Sequence, residues 1–266
     1  LQMDFFKKTI WITGAASGMG KAVAIALAPY QTTLILSDRD AEGLEVTARE
    51  ATKKGAHVLT RRLDMSDTNA ISTTAQEVLR KGYQINALYQ FAGISQRSVV
   101  TETPIENDRK IMEINFIGVV ALTKALLPHM IENGGGQLAA ASSLVGKFGF
   151  PYRSAYSASK HALHGFFESI AAENYPNNIR ISLLIGGRIR TNISKFAIDK
   201  SGQEHGQMDP GQANGISPEK AAQQILRGLR KEKLEIPVGG KELLILKIKR
   251  FFPNWHSKLV RKINPM

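Results

Sequence analysis

The chain has no cysteine. A disulfide framework, a cysteine-ligated metal and a thiol nucleophile are therefore excluded, and the expected location is a reducing cytoplasm. Aromatic residues are sparse, at 7%, and none form the arginine-interleaved stripe on which nucleic-acid bases stack. There is no internal repeat or low-complexity block. Long apolar runs are missing too: no stretch approaches the ~20 residues of a spanning helix. Leu1 to Lys8 is too short and too polar for a signal peptide. The Leu1-Gln2 start is set aside from fold reasoning, and a soluble protein is expected.

What is present is a chain of 266 residues, 43% apolar along its whole length, compatible with one large α/β core. The net charge of +12 is uneven. Residues 241–262 carry seven Lys or Arg against Glu242, so +6 of the total is local and the body has only a modest excess. With no aromatic stripe, nucleic acid is not an expected partner.

Seven short apolar or β-branched runs read as buried strands: Lys8–Thr13, Thr33–Ser37, His57–Arg61, Asn86–Phe91, Gln137–Ala141, Arg180–Ile185 and Glu235–Pro237. Helical spacing falls between them, over Gly18–Ala28, Ala41–Lys54, Asp67–Arg80, Arg109–Ile131, Ser154–Asn174 and Pro218–Arg230. This alternation predicts a single doubly wound, Rossmann-type α/β domain over 3–240. Its seven-stranded, mostly parallel sheet has helices on both faces, and a basic amphipathic tail follows over 241–266. Ser194 to Ile216, with five glycines and prolines and no apolar period, reads as a long loop and substrate lid.

Thr13-Gly14-Ala15-Ala16-Ser17-Gly18-Met19-Gly20 joins the first strand to the first helix. Glycines there permit a tight turn, and the helix N-terminus offers N–H groups to a pyrophosphate. Asp38 ends the second strand, 18 residues after Gly20, where a carboxylate bonds ribose hydroxyls and repels a 2′-phosphate. With Ser17 where a base would help hold that phosphate, NAD is favoured over NADP. Arg39 keeps NADP open, because its guanidinium could reach a phosphate.

From Lys8 to Arg230 the pattern resembles the short-chain dehydrogenase/reductase family. The features that carry the resemblance are Thr13, Gly14, Gly18 and Gly20, then Asp64, Asn115, Ser143 and Tyr156-Ser157-Ala158-Ser159-Lys160. The resemblance implies that Asp64, with Met65 beside it, meets the adenine and that Ala92 and Gly93 allow close cofactor approach. It also implies that Thr191, with nearby Ile189, meets the nicotinamide, and that Asn115, Ser143, Tyr156 and Lys160 form the catalytic set. Asn115 is expected to hold a helix distortion and a water leading to Lys160. A homodimer or homotetramer through the two longest helices is implied as well. Two departures stand out: Gln90-Phe91-Ala92-Gly93 replaces N-N-A-G, and Gly186-Gly187 replaces P-G, which is expected to loosen that turn.

The chemistry also follows from residue types. Hydride transfer at a carbinol moves a proton on the same oxygen, which needs a positioned acid/base. Free tyrosine, with a pKa of about 10, requires a nearby cation to act as base. Tyr156 and Lys160, four apart, share a helix face. Ser143 would fix the substrate oxygen, with Ser142 as runner-up. The expected activity is oxidation of a secondary alcohol, or reduction of a carbonyl, with NAD(H). The alternative is a dinucleotide-binding sensor or membrane-surface scaffold.

His161 and His164 share a helix without an evident carboxylate or third histidine, so no metal is expected. His205 reads as exposed in the lid and Trp11 as core. The tail, alternating cations with Leu243, Leu244, Ile245, Leu246, Ile248, Phe251, Phe252 and Trp255, has three readings: packing on the domain or a second subunit to close the pocket, lying on an anionic membrane, or loose attachment.

Overall fold

A computed structural model describes residues 3–263. The strands are β1 (Thr9–Thr13), β2 (Thr33–Asp38), β3 (His57–Arg62), β4 (Ala87–Gln90), β5 (Gln96–Arg97), β6 (Gly136–Ser143), β7 (Ile179–Gly186), β8 (Ile198–Asp199) and β9 (Glu235–Val238). Seven of them form one sheet in the order β3-β2-β1-β4-β6-β7-β9, and every neighbouring pair is parallel. A parallel sheet must be covered on both faces, which is why β4 is buried at all four positions. Successive β1 residues divide between the two cores: Trp11 faces one cluster, Ile10 and Ile12 the other.

Helices α1 (Gly18–Leu27), α2 (Ala41–Lys53) and α3 (Thr68–Arg80) are followed by α4 (Ile105–Met112), α5 (Gly118–Glu132) and α6 (Ser154–Asn174). Next come α7 (Pro210–Ala213) and α8 (Pro218–Arg230). One face of the sheet is covered by Leu27, Leu44 and Ile225 from α1, α2 and α8. The other is covered by Ile71, Leu122, Leu163 and Phe167 from α3, α5 and α6. Side-chain caps set three starts: Asp40 accepts from Gly43 N–H, Asp67 from Ala70 N–H and Ser217 from Lys220 N–H. Strand order reverses about β1 and β4, so Thr13, paired with both Ser37 and Gln90, opens a crevice at the carboxyl ends of the strands.

Three expectations need correction. The helix expected over Arg109–Ile131 begins at Ile105, and a π-helical turn over Glu113–Ile117 joins α4 to α5. The resulting run Ile105–Glu132 is 28 residues with a mean hydropathy of 1.6 over its most apolar window. It is therefore long and apolar enough to cross a membrane, although Ile111, Val119, Leu122 and Leu126 pack into the core. The segment 194–216 is also not structureless. It contains α7 and β8, and β8 pairs in parallel with β5.

The tail forms α9 (Leu244–Phe251) and α10 (Pro253–Val260). Ile245, Leu246 and Val260 pack on Val145, Phe148 and Tyr156, and the His256 ring meets Phe148 edge-on at 4.5 Å. Packing against the domain, one of the three readings, is thus observed for this part of the tail; 264–266 lie outside the described residues.

Candidate active site

Gly14 has φ +66°, and a Cβ there would lie 2.6 Å from the Ala92 nitrogen. A Cβ on Gly20 would lie 2.1 Å from the Gly14 carbonyl oxygen. Only glycine allows the loop to turn and α1 to close on it. Asp38 fixes the next turn, accepting from Ala16 N–H at 3.0 Å through one oxygen and from Asp40 N–H at 3.1 Å through the other.

Between these segments runs a cleft of about 360 Å³. Gly14, Ser17, Gly18, Met19 and Gly20 form its floor; Asp38, Arg39, Asp64 and Met65 line one end. Ala92, Gly93 and Thr191 line the other. The Ile189 side chain is 2% exposed and packs in the core. Asn192 and Ile193, just beyond Thr191, also line the cleft. Bare glycine backbone, a helix N-terminus and a carboxylate at the far end fit a dinucleotide.

The two departures are braced. Gln90 Nε2 donates to Thr123 Oγ1 of α5 at 2.9 Å. The Gly186-Gly187 turn is held by the tail, since Glu242 accepts from Arg188 N–H at 2.8 Å and Gly240 N–H at 2.9 Å. A Cβ on Gly187 would lie 2.4 Å from that carboxylate oxygen. The double glycine makes room for Glu242, so the expected loosening is offset.

Gly93 connects the cleft to Asn115 and Lys160. A Cβ there would meet Asn115 Oδ1 at 3.0 Å and Lys160 Nζ at 3.4 Å. Asn115 lies in the π turn, the helix distortion expected for it; its side chain accepts from Ile94 N–H at 2.8 Å and donates to Ile94 O at 2.9 Å and Ser159 Oγ at 3.1 Å. Lys160 Nζ donates to Ala141 O at 2.7 Å and sits 5.7 Å from the Tyr156 ring centroid. Burial lowers its pKa to about 8. Burial raises the Tyr156 pKa; Arg153, a hydrogen bond from Ser143 and Arg97 act in the opposite sense. Ser142 turns away, to His164 Nε2 at 2.9 Å, while Ser143 Oγ accepts from Val145 N–H at 3.3 Å and donates to Gly186 O at 3.4 Å.

Several residues at this site carry no sequence signal. Gln96 caps α6, accepting from Ala155 N–H at 2.9 Å and Tyr156 N–H at 3.3 Å. Arg97 and Asp209, both buried, form an ion cluster with the half-buried Arg153. The expectation about histidines also changes. His164 Nδ1 has carboxylates nearby, Glu168 at 3.6 Å and Glu235 at 4.0 Å, brought in by the helix turn and by β9. Lys147 is already paired with Glu235.

Residues 8–201 match the short chain dehydrogenase family. Dehydrogenase/reductase SDR family member 7B of Xenopus tropicalis is 39% identical over 86% of this chain and 76% of its own. Dehydrogenase/reductase SDR family protein 7-like of Drosophila melanogaster is 39% identical over 85% and 71%. Among solved structures, a short-chain dehydrogenase from Streptomyces avermitilis superposes with a TM-score of 0.78 at 30% identity, covering 96% of this chain and 98% of that one. A short chain dehydrogenase/reductase from Burkholderia phymatum in complex with NAD superposes with a TM-score of 0.83 at 21% identity, covering 99% and 98%. With a glycine-floored cleft whose Gly93 lies against Asn115 and Lys160, and relatives that match along most of its length, the chain belongs to the short-chain dehydrogenase family, oxidoreductases that use a nicotinamide dinucleotide.

Proposed function

We propose that the chain oxidises a secondary alcohol, or reduces the matching carbonyl, with NAD(H), and that Tyr156 moves the proton. The observation that carries this reading is the chain of neighbours at one end of the dinucleotide cleft: Asn115 and Lys160 beside Gly93, Tyr156 beside Lys160, and Ser143 beside Tyr156. Asp38 at the other end supports NAD over NADP, as does the NAD bound by the Burkholderia protein.

When bound, the dinucleotide supplies the hydride donor or acceptor. In the oxidation direction Ser143 holds the substrate hydroxyl, and Tyr156 as phenolate takes its proton. Lys160 and Asn115 carry protons onward and keep the tyrosine in register. In the reduction direction Tyr156 returns the proton to the carbonyl oxygen.

Val145, Phe148, Phe150, Ile245 and Leu246 surround Tyr156, which supports a lipophilic substrate. The outer side of the tail supports contact with an anionic membrane surface: Leu244, Phe251, Phe252 and Trp255 are each more than half exposed among Lys247, Lys249, Arg250 and Lys258. A chain ending at Gly240 should then stay in the supernatant with anionic liposomes while the full chain sediments; equal behaviour would remove this part of the reading. Pairing of α5 and α6 with a second copy is proposed on the partly exposed Phe116, Ile117 and Phe166.

A screen of secondary alcohols and ketones of graded size, followed by nicotinamide absorbance with NAD and NADP in parallel, tests the activity. Turnover with NAD is expected. Tight NAD binding with no turnover of any compound would favour the sensor instead.

A further inference from the structure

Two buried charges and one half-buried charge, Arg153, meet beside the start of α6. Arg97 and Asp209 are each 5% exposed. Arg97 Nε donates to Asp209 Oδ1 at 3.1 Å, and its Nη2 donates to Oδ2. Arg153 donates to the same Oδ2 at 2.8 Å. Two guanidiniums share one carboxylate, so the cluster keeps a net positive charge that only the half-buried Arg153 opens to water, an arrangement that costs desolvation.

The cluster's neighbour is Tyr156. Arg153 precedes it by three residues, at the N-cap of its helix, and the buried Arg153 Nε has no partner among the described residues. Gln96, adjacent to Arg97, accepts from the Tyr156 backbone N–H. Asp209 comes from the segment that also brings Phe196 to the cleft, and Asp209 N–H is fixed on Ser194 Oγ at 3.3 Å.

We propose that Arg153 and Arg97 are positioning residues for the proton transfer at Tyr156, and that Asp209 makes their effect depend on the docked position of the 194–216 segment. The proposal rests on the Tyr156 role above. The groups that act on the phenol are Arg153 at the N-cap of α6, Ser143 on β6 and Arg97 on β5, with Lys160 of α6 beside the ring and Asp209 bonded to both arginines. His256 on α10 meets Phe148 of the same cluster, and burial lowers its pKa, which leaves it neutral at pH 7. Burial disfavours the phenolate; Arg153 and then Arg97 favour it. Lys160, 5.7 Å from the ring centroid and turned onto Ala141 O, leaves room for a second source of positive charge.

The test is a titration of phenolate ultraviolet absorbance, with and without NAD, each protein read against its own Tyr156→Phe counterpart. No turnover is involved, so a failed alcohol screen would not affect it. Arg153→Met should move the Tyr156 titration to higher pH by about one unit, Asp209→Asn should move it lower, and Arg153→Lys should keep it near wild type. Arg153→Met and Asp209→Asn break the same ion pair, so a merely structural role would shift both in the same direction. Shifts of the same sign, or no shift in either, would overturn the proposal. If Arg153→Met does not fold, Arg153→Gln takes its place, and a titration unchanged from wild type would overturn the proposal in the same way.

Discussion

Burial moves the proton affinities of Tyr156 and Lys160 in opposite directions, the phenol's upward and the ammonium's down to about 8. The lysine shift has a consequence for stability. Between pH 8 and its ordinary value of 10.5 the unfolded chain binds more protons at Lys160 than the folded one, so this residue's contribution to stability rises with pH across that window. Below it the buried charge is a net cost. Lys160→Met should therefore unfold at higher urea than wild type at pH 7, by roughly 1–3 kcal/mol, and the gap should narrow as pH rises toward 10. At the other end of the cleft, Asp38→Ser removes the carboxylate that repels a 2′-phosphate and leaves Arg39 to attract one. The ratio of kcat/KM for NAD over that for NADP should fall by about 10–100-fold, the worth of one charged hydrogen bond.

At the scale of elements, the tail brackets the active site twice. Ile245 and Leu246 wall the cluster around Tyr156, while Glu242 holds the turn that leads to Thr191. Glu242→Ala should raise KM for NAD by about 3–10-fold with a smaller effect on kcat, as steady-state kinetics can separate. Protonation should act in the same direction: burial works to raise the Glu242 pKa, but the N–H groups of Gly240 and Arg188 and the Arg188 charge outweigh it, so the brace is lost only well into acid.

How far these elements are legible in the sequence depends on whether they have a local pattern. The sheet strands alternate with helices of clear period, and Gly14, Gly18 and Gly20 sit at one strand-to-helix junction. Their placement can therefore be read directly. The π turn around Asn115 has the same apolar spacing as the helix it interrupts, so spacing alone gives one continuous element, and only the family resemblance points to a distortion there. The β5–β8 pair is two residues long on each side, below any period. The bond from Arg97 to Asp209 spans 112 residues, and nothing local in either segment anticipates it. Along the turn after β7, Thr191, Asn192 and Ile193 line the cleft while the Ile189 side chain is buried, because two residues along a turn are enough to bring a side chain into the core.

At the scale of the whole molecule, half of the +12 charge, the +6 of residues 241–262, lies on the same tail as the exposed Leu244, Phe251, Phe252 and Trp255. If that tail meets anionic lipid, binding should weaken with salt as the Debye length falls from about 10 Å at 0.1 M to about 3 Å at 1 M. It should also weaken in a protein carrying Phe251→Ser and Trp255→Ser, whose NAD binding should remain that of wild type; sedimentation with vesicles reads both effects. The chemistry proposed for the whole molecule centres on Tyr156 as its acid and base. The direct measurement is kcat for wild type and Tyr156→Phe on one alcohol, followed by nicotinamide absorbance, with the dinucleotide dissociation constant measured alongside. A loss of about 10²–10⁴-fold in kcat is expected, with dinucleotide affinity kept; an undiminished kcat in Tyr156→Phe would contradict that role.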